Sequence, residues 1–304
     1  MNTVENILVV IDPTTDRDFV VDRAKLVAKA TNAKLTLFIN NENTLTEHSY
    51  IYEGMDGEFF EKQRKLFEEH YKHLLAALVD ELRQENIEVD SNFAEHHHLA
   101  EAIINETKQL NPDLVMKSTH NHSALERSLV SNTDWRLIRK CPAPLLLVKP
   151  TEWHSGGAIV TAVDPFHSKA IQANLDHALI NETEQMANLL ELDSHIFHSY
   201  FPFVSSMFPL GSESTIGLDE MRKKHATKID ELLESHTIKP GNVELSHGEI
   251  VPHLIKYLKD VNANILVIGA LSRNVIERAI VGNTAEKILQ GCPCDVLVIK
   301  PPSS

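Results

Sequence analysis

The sequence predicts an α/β protein of two tandem domains, each a mostly parallel, five-stranded, doubly wound sheet flanked by helices. Three observations predict it. First, residues 126–150, ERSLVSNTDWRLIRKCPAPLLLVKP, return 151 positions later without a gap as residues 277–301, ERAIVGNTAEKILQGCPCDVLVIKP. A period this long marks a duplicated domain, because solenoid repeats run only about 20–50 residues. Second, the starts agree with the ends: NILVVIDP at 6–13 and GAIVTAVDP at 157–165 pair Asp12 with Asp164. Third, each half alternates short β-branched apolar runs with longer amphipathic ones, the pattern of a parallel sheet covered on both faces. The domains are therefore expected at 1–150 and 151–304, each of ordinary single-domain size.

Strands are predicted at 7–11, 34–39, 87–93, 114–117 and 145–148 in the first half. In the second they fall at 158–163, 195–200, 243–247, 265–268 and 296–299. The continuous apolar character of ILVVI, ILVI and VLVI fits strands buried on both faces. The clearest helix spans 58–85, where Phe59, Leu66, Phe67, Leu74, Leu75, Leu78 and Leu82 recur at three- and four-residue steps and form one apolar face. Residues 149–157, KPTEWHSGG, read as a short interdomain linker. A second irregular segment, FPFVSSMFPLGSESTIG at 201–217, reads as a loop. Its Phe residues either tuck into the loop's own core or wall a ligand cleft.

Composition narrows the function classes. Apolar content of 42% and charged content of 24% are ordinary for a globular protein, and no apolar run approaches the roughly 18 residues of a membrane span. The N-terminus MNTVENILVV lacks a basic region ahead of a signal-like core. Three cysteines with no CxxC pair suit a reducing cytoplasm. A formal charge of −14 repels phosphate backbones, so no direct nucleic-acid partner and no membrane partner are expected.

The chemistry-bearing positions gather in the second half. In an open parallel sheet, ligands bind beyond the carboxyl ends of the strands where strand order reverses. Asp164 ends the first strand of this half, Gly269 ends the fourth, and Gly282-Asn283-Thr284 opens the helix AEKILQ, which Gly291 is expected to close. A helix N-terminus offers unpaired N–H groups and partial positive charge, and a preceding glycine lets an anion come close. Arg273 would add a formal charge. The plainer alternative is strand–loop–helix punctuation in which Asn283 or Thr284 caps the helix.

The motif stands as Gly269, two residues, Ser272, nine residues, Gly282 and Asn283, between a VIG strand and a CP-x-x-V-L-V strand. It resembles the nucleotide loop of the universal stress protein family. The tandem layout, the VIDP and AVDP starts and the TDW and RKCP elements resemble that family's two-domain, E-type bacterial members, over the whole chain. The resemblance implies ATP or another adenine nucleotide bound in the second domain only. Asp164 would lie near adenine or ribose, with Gly269, Ser272, Arg273, Gly282, Asn283 and Thr284 around ribose and phosphates. It also implies a cytoplasmic, non-enzymatic stress-response role, including tolerance of DNA damage. The two domains would pair about a pseudo-twofold axis, with a further homodimer left open.

Two departures weaken the second-domain site: Ser272 adds a side chain where the family has glycine, and Asn283 replaces the usual Ser or Thr. The first half departs further, with Ser118, Asn121, Ser131 and Asn132 at the equivalent positions. It is expected not to bind nucleotide in the family manner. Two other functions stay open: a slow metal-dependent ATP hydrolase, and a binder of an apolar small molecule.

Histidine is the remaining chemical signal, with 17 in the chain. His96-His97-His98 precede Glu101, and His98 and Glu101 share a helix face at a spacing compatible with zinc. Consecutive histidines point in different directions, so a solvated helix start is the simpler reading, and no metal ligand is assigned. Cys292 and Cys294, at the entry to the last strand, read as buried structural thiols. No G-x-S-x-G, H-E-x-x-H or G-x-x-x-x-G-K-[ST] motif is present, and no catalytic residue is assigned.

Overall fold

A computed structural model describes residues 4–15, 19–41, 57–119, 130–166, 170–200, 214–270 and 283–300. These fall into two compact units, one ending at Pro150 and the other beginning at Thr151. Unit 1 runs β1 (Asn6–Val10), α1 (Phe19–Thr31), β2 (Lys34–Asn41), α2 (Gly57–Gln84), β3 (Val89–Glu95), α3 (Leu99–Leu110), β4 (Leu114–Ser118), α4 (Asn132–Lys140) and β5 (Leu145–Val148). Its strands lie in the order β3-β2-β1-β4-β5 and all pair in parallel.

Unit 2 repeats the plan. It runs β6 (Ala158–Ala162), α5 (Ala170–Leu190), β7 (Asp193–Tyr200), α6 (Ser214–Leu233), a 3-10 turn at Pro240–Asn242, β8 (Val243–His247), α7 (Ile250–Asp260), β9 (Ala263–Gly269), α8 (Asn283–Gly291) and β10 (Asp295–Ile299). The order is β8-β7-β6-β9-β10, again parallel. Each unit is thus the doubly wound α/β sheet that the sequence predicts. In both, strand order reverses between the first strand and the fourth, which opens a crevice at their carboxyl ends.

Burial explains the composition of the strands. All four residues of β5 and all five of β10 are buried, as helices on both faces require. β3 and β8, at the ends of their orders, are largely polar and partly exposed. Five turns after helices are made by residues in the left-handed region: Asn32, Asn86, Asn111, Glu191 and Asn262. Asn tolerates this conformation better than other non-glycine residues, which lets a glycine-poor chain close its helices.

Three expectations need correction. Gly291 does not follow α8 as a left-handed cap but is its last helical residue. A Cβ there would lie 2.6 Å from Cδ1 of Ile255, so its glycine permits α8 to pack closely on α7. The apolar face of α2 is buried only toward its C-terminal end, at Leu75, Val79 and Leu82, whereas Leu66 is 50% exposed and Phe67 45%. The physical reason is length: 28 helical residues span about 42 Å, whereas the eight residues of β2 span about 27 Å, so the helix outruns the sheet. Finally, residues 214–217 of the expected loop belong to α6, and residues 201–213, with the aromatics in question, lie outside the described residues.

The linker is tied down within unit 2. Trp153 donates its indole N–H to the buried Asp295 carboxylate at 2.8 Å, and the backbone of His154 exchanges two hydrogen bonds with the Asn264 amide. Gly157 permits this approach, since a Cβ there would sit 2.7 Å from the Asn262 carbonyl oxygen.

Candidate functional site

In unit 2 the crevice is built where β6 and β9 lie side by side, Thr161 opposite Val267. Asp164 follows β6 and is exposed, its Oδ1 accepting from the Phe166 backbone N–H at 3.3 Å. Gly269 is the last residue of β9, opposite Ile299 of β10. Asn283 and the exposed Thr284 open α8. Asp164 and Gly269 are thus brought to adjacent strand ends. Ser272, Arg273 and Gly282 lie outside the described residues. Gly269 also has a packing reason to lack a side chain: a Cβ would meet Leu175 Cδ2 of α5 at 2.5 Å.

Beside Asp164 stands a group that sequence reasoning missed. His198 of β7, 3% exposed, makes a 3.0 Å hydrogen bond from Nδ1 to the Val163 carbonyl and a 2.8 Å bond between its Nε2 and Nδ1 of His225 on α6. A carbonyl only accepts, so neutral His198 carries its proton on Nδ1 and accepts at Nε2 from His225 Nδ1–H. The lone pair of His225 therefore falls on its Nε2. Phe166 lies 4.2 Å from the His225 ring centroid and Tyr200 stacks on it at 4.7 Å, while Lys224 Nζ sits 5.8 Å from the Phe166 ring. Burial pushes the pKa of both histidines below the usual value; for His198 the hydrogen bond to the Val163 carbonyl and the charge of Asp164 partly oppose the shift, and for His225 the neighbouring His198 adds to it while Asp164 opposes it. A signal was available: in β7, DSHIFHSY, His198 directly follows Ile196 and Phe197 and is buried with them.

A second pair of histidines bridges α5 and the turn after α6. His177 Nδ1 meets His236 Nε2 at 3.0 Å, and His236 Nδ1 meets Glu184 Oε2 at 3.1 Å. Burial opposes ionisation of Glu184, yet hydrogen bonds from Thr237 and His236 outweigh it and hold the carboxyl below its usual pKa. These groups form a chain and do not converge on a point.

Unit 1 has closed the corresponding helix entry with its own side chains. Ser131 caps α4 in a reciprocal capping box: its Oγ accepts from the Asp134 N–H, and Asp134 Oδ2 accepts from the Ser131 N–H at 2.8 Å. The other carboxylate oxygen is 2.9 Å from Lys117 Nζ, with the Asp134 side chain 1% exposed. A fixed carboxylate and its counter-ion therefore sit at the N-terminus of α4, where free helix N–H groups and their partial positive charge would otherwise favour an outside anion. The residues of unit 2 at the same positions are Ala285 and Ile268, which cannot form such a pair. The S-x-x-D signature of the capping box was readable in the sequence.

The His98–Glu101 pair is not assembled as a metal site. Glu101 is held by Arg136 at 2.5 Å, and His96 Nδ1 bonds to the backbone of His98. Among the described residues no group of three His, Cys, Asp or Glu is placed to hold a metal ion; His120 and His122 lie outside them. Cys141, Cys292 and Cys294 are all buried and reduced. No helix among the described residues is long and apolar enough to cross a membrane.

The family model described as universal stress protein family matches residues 3–149 and again 159–300. The chain belongs to the universal stress protein family. Among curated relatives of this tandem universal stress protein, universal stress protein E of Photorhabdus laumondii is 27% identical over 99% of this chain and 96% of its own length. That of Escherichia coli K12 is 28% identical over 98% and 94%. In fold it is similar to a functionally unknown protein of Pseudomonas aeruginosa PAO1 (TM-score 0.77, 24% identity, covering 98% of this chain and 93% of that one). A universal stress protein of Archaeoglobus fulgidus shares the fold at a TM-score of 0.65, with 13% identity and coverage of 98% and 97%. Two universal stress protein domains thus account for the chain, and the family supports a role in stress response.

Proposed function

We propose that this protein is a non-enzymatic stress-response protein that holds an adenine nucleotide in unit 2 and supports survival under stress, including DNA damage. One observation carries the reading. The two copies of one fold differ at the helix entry, where unit 1 supplies its own carboxylate and unit 2 supplies alanine. Around that entry, Asp164 offers an acceptor for ribose hydroxyls, Phe166 and His225 offer ring faces to a base, and the start of α8 offers backbone N–H groups to phosphate. Ser272, Arg273 and Gly282 complete the loop in this reading.

Mass spectrometry of the purified, denatured chain is expected to find a retained adenine nucleotide, and ATP with magnesium is expected to raise the unfolding temperature. Gly282→Trp should remove the shift. No retained nucleotide and no shift would overturn the nucleotide part. Hydrolysis lost with the same substitution would replace the binding reading with the hydrolase. A strain deleted for the gene should survive DNA damage poorly, and the Gly282→Trp form should fail to restore it.

A further inference from the structure

The turn between α8 and β10 brings two thiols together. Cys292 follows the last residue of α8, Cys294 precedes the first of β10, and the chain bends at Pro293 and Cys294. Their Sγ atoms lie 3.5 Å apart, with Cys292 2% exposed and Cys294 3%. Unit 1 makes the same connection as Cys141-Pro142-Ala143, with Cys141 and Ala143 both buried. The shared Cys-Pro step therefore serves the fold. Packing asks only for a small apolar side chain at the third position, as Ala143 shows, and does not by itself call for a second sulfur in contact with the first.

The geometry suits a bond between them. A disulfide holds its sulfurs about 2.0 Å apart, so these two stand about 1.5 Å from bonding distance. One intervening residue keeps their Cα atoms within about 7.6 Å even in an extended chain, and the bend shortens that, so closure takes side-chain rotation and a small tightening of the turn. Burial selects the product. A soft cation on this pair would need two thiolates in a buried site with the buried Asp295 next in the chain, whereas a disulfide carries no charge. Gly291 is exposed and Pro293 half-exposed, so the turn itself reaches the surface.

We propose that Cys292 and Cys294 form an oxidation site that a hydroperoxide converts to an intramolecular disulfide. Local opening of the turn admits the oxidant without unfolding α8 or β10. One thiolate attacks hydrogen peroxide and breaks its O–O bond. Its sulfur becomes a sulfenic acid, and the departing hydroxide takes up the thiol's proton as water. The second thiol then attacks the sulfenic sulfur: the S–S bond forms, the S–O bond breaks, and a second water leaves. Two thiols are oxidised by two electrons in all, and the peroxide is reduced to two waters. A bond closed over one residue is strained, so cellular thiols reduce it readily and the change is reversible. The site stands at the opposite end of α8 from the nucleotide seat proposed in unit 2 and does not depend on it.

The test is mass spectrometry of the full chain treated with hydrogen peroxide, quenched with catalase, unfolded, alkylated and digested with trypsin without reductant. The peptide that begins at Ile288 holds both cysteines. It is expected to lose the mass of two hydrogen atoms and both alkylation sites, and dithiothreitol should restore them. Cys141, whose turn has Ala143 in place of a second thiol, should stay alkylatable. Cys294→Ala gives unit 2 the turn of unit 1 and should abolish the mass loss with an unchanged far-ultraviolet spectrum. Dimedone should tag a sulfenic acid on the remaining thiol in this variant or in Cys292→Ala. Full alkylation of both cysteines under peroxide that oxidises glutathione completely would overturn the proposal. So would oxygen added to either sulfur in place of the bond, bonding to Cys141 or a second chain, loss of Cys141 at the same rate, or a dimedone tag in neither variant.

Discussion

The entry to α4 in unit 1 and the entry to α8 in unit 2 begin from the same Asn-Thr pair, yet one is finished by the protein and the other is not. In unit 1 the third helical residue is Asp134, which reaches back to Ser131 and across to Lys117. In unit 2 it is Ala285, with Ile268 in place of the lysine. Duplication has preserved positions that build the fold, such as the Asn-Thr helix start, and changed those at which unit 1 places its own ion pair. The lesson is that a fold that exposes helix N–H groups can satisfy them with its own carboxylate.

The largest expected effect comes from breaking the closed entry. Asp134→Ala removes one member of a buried ion pair and the carboxylate half of the capping box, and should destabilise unit 1 by about 3 kcal/mol in denaturant unfolding. Loss of only a few tenths would mean that the pair is incidental. Copying the closure into unit 2 is the converse test. Ala285→Asp should weaken nucleotide binding there by about tenfold with little change in stability, read by calorimetric titration.

A smaller effect separates packing from binding at the strand end. Gly269→Ala pushes a methyl onto Leu175, whose flexible end can yield, so unit 2 should lose about 1 kcal/mol. Ser118→Gly in unit 1 should not confer nucleotide binding while Asp134 remains. The smallest is a pH effect. His177, His195, His198 and His225, all in unit 2, have pKa values lowered first by burial. As pH falls below the unfolded value near 6.5, the unfolded chain takes up these protons more readily than the folded one, so stability falls with pH across that window. The unfolding temperature of unit 2 is expected to drop by about 3–6 °C between pH 7 and pH 5. His198→Asn with His225→Phe should flatten part of that slope in a calorimetric series.

Much of the fold was legible because parallel strands buried on both faces are continuous apolar runs, and β1, β5, β9 and β10 announce themselves that way. The predicted end of α8 was misplaced because Gly291 serves helix–helix contact, a tertiary fact that local punctuation does not carry. That Asp164 and Gly269 would come to adjacent strand ends was legible because each directly ends an apolar strand-like run. The His198–His225 pair was missed because its members are 27 residues apart and meet only when α6 and β7 are brought together by the fold. The closure by Asp134 lay half in view: its capping signature is local, but its partner Lys117 comes from another strand.

The central claim, that one copy of the fold is closed to anions by its own residues and the other is open, is tested most directly by titrating the full chain with ATP and magnesium while following individual amides. The account predicts saturable shifts at Asp164, Gly269 and Thr284 and none at Ser118, Ser131 or Asn132. Shifts at the unit 1 positions of equal size, or at those positions alone, would contradict it.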